Sequence, residues 1–185
     1  MCVKALENQL EGLFGNMLIR YAGLDKNDIV NGKGFCVSFW TQYCPHRCKG
    51  CHNPETWSKT GGLLIEYDDL LKEILQAICA NGILRNFSLL GGEPLCEENI
   101  DLVKKLVKDI KQQYPNILIY CWTGYRFEDL MQKYTNVLQY IDVLIDGKFV
   151  LEQRDITLKL RGSSNQRVID CKKSLAENKI ILKEN

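Results

Sequence analysis

Three cysteines stand close together in the segment Cys44-Pro45-His46-Arg47-Cys48-Lys49-Gly50-Cys51, a C-x3-C-x2-C loop. Cysteine thiolates are the usual protein ligands of iron–sulfur clusters and are common ligands of structural zinc. Spacing this tight lets three thiolates converge on one centre without help from distant chain. Gly50 permits the backbone bend that convergence needs. Three protein ligands on a four-iron cube leave one iron open to another molecule. The alternative is a zinc site made by Cys44, Cys48 and Cys51 with His46 or His52. Spacing alone does not separate the two. A second feature is Gly91-Gly92-Glu93-Pro94. Two glycines let backbone approach a ligand closely, and a carboxylate accepts from an ammonium group. The same residues also suit an ordinary strand-to-helix turn with an acid near a helix start. They match neither the G-x-G-x-x-G dinucleotide pattern nor a phosphate-binding P-loop.

These loops need elements to hold them. Residues 35–40 (FCVSFW) read as a strand, rich in β-branched and aromatic side chains. Asp68 or Asp69 can cap a helix whose apolar face is Leu70, Leu71, Ile74, Leu75 and Ile78, with Gly82 at its end. Residues 87–90 (FSLL) form a short buried strand. Ile100, Val103, Leu106, Val107 and Ile110 then repeat at helical spacing, with Pro115 past the end. Residues 117–122 and 143–145 read as strands, 127–134 as a short helix, and 167–171 as a further strand. Residues 1–16 are set apart as an N-terminal extension, and 17–185 as a single domain. Strand and helix alternate, which predicts an α/β fold with parallel strands joined by right-handed crossovers. Four distinctive segments each follow a strand: the cysteine loop, Gly91–Pro94, Thr123–Tyr125 and Asp146–Lys148. In a parallel sheet these ends share one edge, so one site can use all four.

Composition bounds the rest. The chain has 185 residues, 45% hydrophobic and 25% charged, about one domain's worth. A complete eight-fold α/β barrel typically needs about 250 residues. Lys and Arg total 24 against 23 Asp and Glu, so no polyanion-binding face is advertised and nucleic acid is not an expected partner. No stretch reaches the roughly 18 apolar residues of a membrane span. The start, MCVKALENQL, lacks the apolar core of a signal peptide, so a cytoplasmic location is expected. Nine cysteines, an odd count in a reducing compartment, argue for metal or reactive chemistry over disulfides. Outside the loop, Cys79 reads as a small buried hydrophobe and Cys36 and Cys121 as core or barrel-lining. Cys96, just after Gly91–Pro94, is expected near the mouth of the site. Cys2 and Cys171 carry no signal. His46 reads as a loop residue.

Together these residues resemble the radical S-adenosylmethionine (radical SAM) enzymes, whose signature is C-x3-C-x2-C followed by Gly-Gly-Glu. More narrowly, the chain resembles the activating proteins of anaerobic (class III) ribonucleoside-triphosphate reductase, from about residue 17 to about residue 170. The matching stretches are Asp28–Gly32, the cysteine loop with His52, Asn53, Thr56 and Trp57, Gly91–Pro94, Trp122–Tyr125, Val143–Phe149 and Arg161–Gln166. Many radical SAM enzymes carry an aromatic residue just before the third cysteine; this chain has Gly50, as the activating family does.

The resemblance implies an incomplete, TIM-like parallel β/α barrel of the radical SAM type. It implies a 4Fe-4S cluster on Cys44, Cys48 and Cys51, with S-adenosyl-L-methionine chelating the fourth iron. Gly91, Gly92 and Glu93 would hold the methionine end, chiefly its ammonium, and Gly50 and His52, which flank the last cysteine, would contact the nucleoside. No catalytic residue is implied beyond the cluster and the cosubstrate site. The reaction implied is reductive cleavage to methionine and a 5′-deoxyadenosyl radical, which takes a Cα hydrogen from a glycine of the reductase large subunit. A low-potential donor such as flavodoxin would supply the electron. Activation of another glycyl-radical enzyme, of the pyruvate formate-lyase type, is the near alternative; Trp122–Tyr125 and Arg161–Gln166 favour the reductase. A non-catalytic zinc-binding module is the alternative from another class. An incomplete barrel leaves one side open, as a protein substrate needs.

Overall fold

A computed structural model describes residues 17–183. The N-terminal extension expected over 1–16 lies outside the described residues. The chain order is β1 (Leu18–Asp28), β2 (Cys36–Thr41), β3 (Leu63–Glu66), α1 (Tyr67–Ile78), β4 (Asn86–Gly91), α2 (Ile100–Gln113), β5 (Ile119–Trp122), α3 (Phe127–Leu138), β6 (Val143–Asp146), β7 (Arg167–Asp170) and α4 (Cys171–Glu177). No helix among the described residues is long and apolar enough to cross a membrane.

The strands form one mixed sheet in the order β3-β1-β2-β4-β5-β6-β7. The centre, β2-β4-β5-β6, is parallel as expected. The flanks are not: β1 runs antiparallel to β2 and β3, and β7 antiparallel to β6. A wholly parallel sheet is therefore corrected. The cause is the connections. A parallel return needs a crossover of a dozen or more residues, usually helical. The link from β1 to β2 is too short for one, and the segment between β6 and β7 contains no α-helix.

The helices cover one face of the sheet. Leu70, Leu71, Ile74, Leu75 and Ile78 of α1 are buried, as are Val103, Leu106, Val107 and Ile110 of α2. They pack with Phe39, Phe87, Leu89, Ile119, Cys121 and Leu144. Each such side chain contributes about 1.5–3 kcal/mol on burial. Strand alternation sends Tyr120, Val143, Ile145 and Val168 to the other face, where Trp122 and Leu160 join them. Three boundaries differ from expectation. Extended Glu66 precedes α1, so Asp68 and Asp69 occupy the first turn instead of the cap, where the helix dipole favours carboxylates. α1 ends at Ile78, and Gly82 (φ 72°) belongs to the turn that follows. α3 continues past Tyr134 to Leu138.

The antiparallel β7 edge is pinned by charge. Asp146 is fully buried at the end of β6. Its Oδ2 accepts from the Phe127 amide at the start of α3 (2.9 Å), and Oδ1 from Arg167 Nε (2.9 Å). Arg167 also donates to both oxygens of Glu128, at 3.0 and 2.8 Å. That pairing holds the Glu128 carboxyl at about 2, well below its ordinary 4.5. A lowered folded-state value gives stability that is present above the ordinary value and lost as pH falls towards 2. Glu128 is half exposed, so screening limits the contribution to about 1 kcal/mol. Glu128→Gln is expected to remove that part of the acid limb between about pH 4.5 and 2, read from denaturant midpoints across pH.

Candidate functional site

The C-terminal ends of the four parallel strands open on one cavity of about 660 Å³. Its wall takes Cys44, Cys48 and Cys51 from the loop after β2, and Gly91, Gly92 and Glu93 from the end of β4. The β5 end adds Trp122, Thr123 and Gly124, and the β6 end Gly147, Lys148 and Phe149. Gly50 and His52 line it as well. All four segments that follow a strand in the sequence thus meet at one edge.

The cysteine loop curls through residues of left-handed backbone: Tyr43 (φ 79°), Arg47 (φ 48°) and Gly50 (φ 73°). The Cys51 amide closes back on the Cys48 carbonyl at 3.1 Å. A Cβ on Gly50 would stand 2.9 Å from Leu151 Cδ1, so a side chain at this position requires Leu151 to shift as well as a left-handed backbone. The three thiols are free. Burial pushes the Cys44 thiol up, partly offset by the His46 and Arg47 amides. Burial likewise raises Cys48, with Lys148 acting the other way. Metal ligation takes the thiolate, so iron uptake here displaces protons. Among the described residues, no three His, Cys, Asp or Glu side chains are gathered closely enough to hold a single metal ion. The thiols face a cavity, and among the described residues Cys44, Cys48 and Cys51 are the cysteines on its wall. Three thiols on one cavity wall are a donor set that a multi-iron group can use.

The glycines of the β4 turn answer first to the chain itself. A Cβ on Gly91 would come 2.6 Å from the Thr41 carbonyl oxygen, and one on Gly92 would overlap the Tyr43 carbonyl. The Gly92 and Glu93 amides donate to the Thr41 and Tyr43 carbonyls, each at 2.8 Å. The turn therefore lies directly on the stem of the cysteine loop.

Glu93 is 1% exposed. Its Oε1 accepts from the Leu95 amide (3.0 Å) and Thr123 Oγ1 (2.7 Å). Its Oε2 meets the Gly124 amide (2.6 Å) and His46 Nε2 (2.8 Å). The sequence suggests an acceptor for a ligand's ammonium; in the fold this carboxylate already carries four protein partners. His46, Thr123 and Gly124 were missed as its partners because nothing in the local sequence pairs residues thirty to forty-seven apart.

The stretch from Gly147 to Gln166 forms a strap along the cavity. Trp122 Nε1 donates to the Leu160 carbonyl at 2.7 Å. Gln166 Oε1 accepts from the Gly162 and Ser163 amides, and its Nε2 donates to the Gly147 carbonyl at 3.0 Å. Arg161 Nη1 donates to the Gln166 carbonyl at 3.1 Å. Arg161–Gln166 is thus the clasp of the strap. Trp122→Phe keeps the ring but leaves the Leu160 carbonyl without its donor, at a cost of about 1 kcal/mol. The expected result is faster tryptic cleavage at Arg154, Lys159 and Arg161, with the unfolding midpoint of the core nearly unchanged.

Two cysteine expectations are corrected. Cys96 is buried and off the cavity wall, and burial raises its thiol to about 12. Cys79 is half-buried at the end of α1, donating weakly to the Leu75 carbonyl at 3.7 Å. Cys36 and Cys121 are core residues as expected.

Residues 30–169 match the family described as the 4Fe-4S single cluster domain. The chain is 39% identical over 141 residues to the anaerobic ribonucleoside-triphosphate reductase-activating protein of Haemophilus influenzae, covering 75% of this chain and 90% of that protein. The protein of the same name from Vibrio cholerae is 40% identical over 139 residues, 75% of this chain and 90% of its own. That from Escherichia coli K12 is 38% identical over 142 residues, 76% and 92%. The three-cysteine cavity and the family match define a single-cluster iron–sulfur protein. The chain belongs to the family of anaerobic ribonucleoside-triphosphate reductase-activating proteins.

Proposed function

We propose that the protein activates an anaerobic ribonucleoside-triphosphate reductase by installing a glycyl radical on its large subunit. In this reading residues 17–185 are one radical SAM domain, and the parallel strands are the staves of an incomplete barrel. Cys44, Cys48 and Cys51 hold a 4Fe-4S cluster. The observation that carries the reading is that these three cysteines and the Gly91–Glu93 turn line a single cavity at the strand ends.

When bound there, the cluster and S-adenosylmethionine supply reductive cleavage to a 5′-deoxyadenosyl radical, which can take a hydrogen from a glycine Cα. The chain's own residues bind and orient. Gly91 and Gly92 offer backbone to the methionine end, with Glu93 beneath them. Gly50 and His52 stand beside the last cysteine, in reach of the nucleoside. Trp122 and Phe149 supply apolar wall, and the strap limits water on that side. A low-potential carrier such as flavodoxin delivers the electron, and the reaction belongs to the cytoplasm.

The test is product formation. Anaerobically loaded protein, given S-adenosylmethionine and dithionite, is expected to be brown, to hold about four irons per chain, and to release 5′-deoxyadenosine and methionine in equal amounts. Colourless protein carrying one zinc, or brown protein that releases neither product, overturns the reading.

A further inference from the structure

The function proposed above gives His46 no task. Its position is nevertheless closely determined. Its side chain is 7% exposed, and Nε2 lies 2.8 Å from Glu93 Oε2. With its proton on Nε2, the imidazole donates to this carboxylate oxygen. The ring also packs edge-on against Tyr125, with centroids 4.6 Å apart at 68°. A Cβ on Gly124 would lie 2.5 Å from Nε2 and overlap Cδ2, so the ring's seat exists because residue 124 has no side chain. Glu93 takes its other donors from its own turn, at Leu95, and from the β5 turn, at Thr123 and Gly124. Three connections from three strands therefore meet at one carboxylate. His46 is the contribution of the cysteine loop, from a position between its first two cysteines.

We propose that His46 is a positioning residue that latches the three-cysteine loop to the Gly91–Glu93 turn. It thereby fixes how the cluster's thiolates stand relative to the turn that takes the methionine end of the cosubstrate. The inference rests on the proposed function for the identity of that cosubstrate; the latch itself is a property of the chain. A glutamine side chain can present an N–H to the same oxygen, whereas alanine leaves Glu93 one donor short and a hole beside Gly124 and Tyr125.

The test compares full-length His46→Ala and His46→Gln with the wild type. All three cysteines remain, so iron content serves as the control for loading. Paramagnetic resonance of the reduced cluster is recorded while S-adenosylmethionine is titrated in. Loss of a hydrogen bond to a charged group is expected to raise the half-saturating concentration about tenfold or more in His46→Ala. His46→Gln is expected to stay near the wild type. Amide hydrogen exchange over residues 44–51 is measured on the same proteins without iron. It is expected to quicken in His46→Ala and to be restored in His46→Gln. A His46→Ala titration like the wild type's, or unchanged exchange, overturns the proposal. If the wild-type signal itself ignores S-adenosylmethionine, the cosubstrate assignment fails and the exchange result alone decides on the latch. The same holds if His46→Ala does not load iron, because the exchange measurement needs none.

Discussion

Cys44→Ala, Cys48→Ala and Cys51→Ala are each expected to leave the protein without a stable cluster and without S-adenosylmethionine cleavage. The reason is stoichiometric. Three thiolates from one short loop are the whole protein ligand set in this reading, and among the described residues the cavity wall holds no fourth cysteine to replace a missing one. Loss of a direct ligand should exceed the roughly 10–100-fold cost of losing an outer partner of a metal site. The unloaded fold is expected to survive, because Cys48 and Cys51 are only half-buried and the loop's turns are backbone features. Iron analysis, visible absorption and 5′-deoxyadenosine release check this, with thermal unfolding of the unloaded chain as the control. Cys36→Ala and Cys121→Ala form the contrast, since both thiols lie in the sheet away from the cavity. They should cost stability and keep the cluster. A loop variant that stays brown and still cleaves S-adenosylmethionine contradicts the ligand assignment.

Gly92→Ala is expected to be the most damaging single methyl in the site. Its Cβ would overlap the Tyr43 carbonyl oxygen and stand 2.6 Å from the carbonyl carbon. Those atoms are backbone, so no side chain can swing away. The β4 turn must then lift off the stem of the cysteine loop, breaking the Gly92–Thr41 and Glu93–Tyr43 bonds of 2.8 Å each. Overpacking of this kind costs about 3 kcal/mol. In a chain of this size that lowers the unfolding midpoint by roughly 6–12 °C. Gly34→Ala is the control. Gly34, unlike Gly92, has positive φ (73°), and a Cβ there meets nothing within 4 Å, so only the backbone strain of about 1–2 kcal/mol remains. Thermal unfolding of the two unloaded variants separates steric overlap from strain. Equal losses would contradict the close approach of the two turns.

The parts of the fold that were legible in the sequence are those written in local period. Residues 35–40, 87–90, 117–122 and 143–145 are short apolar runs bounded by turn residues, and all four fall within or overlap parallel strands. The apolar faces of α1 and α2 are legible for the same reason. Once those strands are parallel, the convergence of the four following loops is a matter of topology. The direction of the outer strands was not legible. β1 reads LIRYAGLDKND, a strand whose polar end and glycine give no clean alternation, and β3 has only four residues. Their pairing is set by the length of the links and by what lies beside them. The site shows the same division. The cysteines and the Gly-Gly-Glu turn announce themselves by type and spacing. The tie between His46 and Glu93 spans forty-seven positions and depends on the missing side chain of Gly124. No local pattern carries it. The Arg161–Gln166 stretch matched by type, but its hydrogen bonds fasten the strap.

The central claim is that this cavity makes a radical for another protein. The most direct test incubates the loaded protein anaerobically with S-adenosylmethionine, dithionite and the large subunit of an anaerobic ribonucleoside-triphosphate reductase, and records the paramagnetic resonance spectrum. The account predicts a glycyl radical on the reductase subunit that requires both S-adenosylmethionine and the three loop cysteines. A spectrum with no radical on the reductase, from protein that holds its cluster and cleaves S-adenosylmethionine, would contradict it; so would a glycyl radical that forms only on a pyruvate formate-lyase.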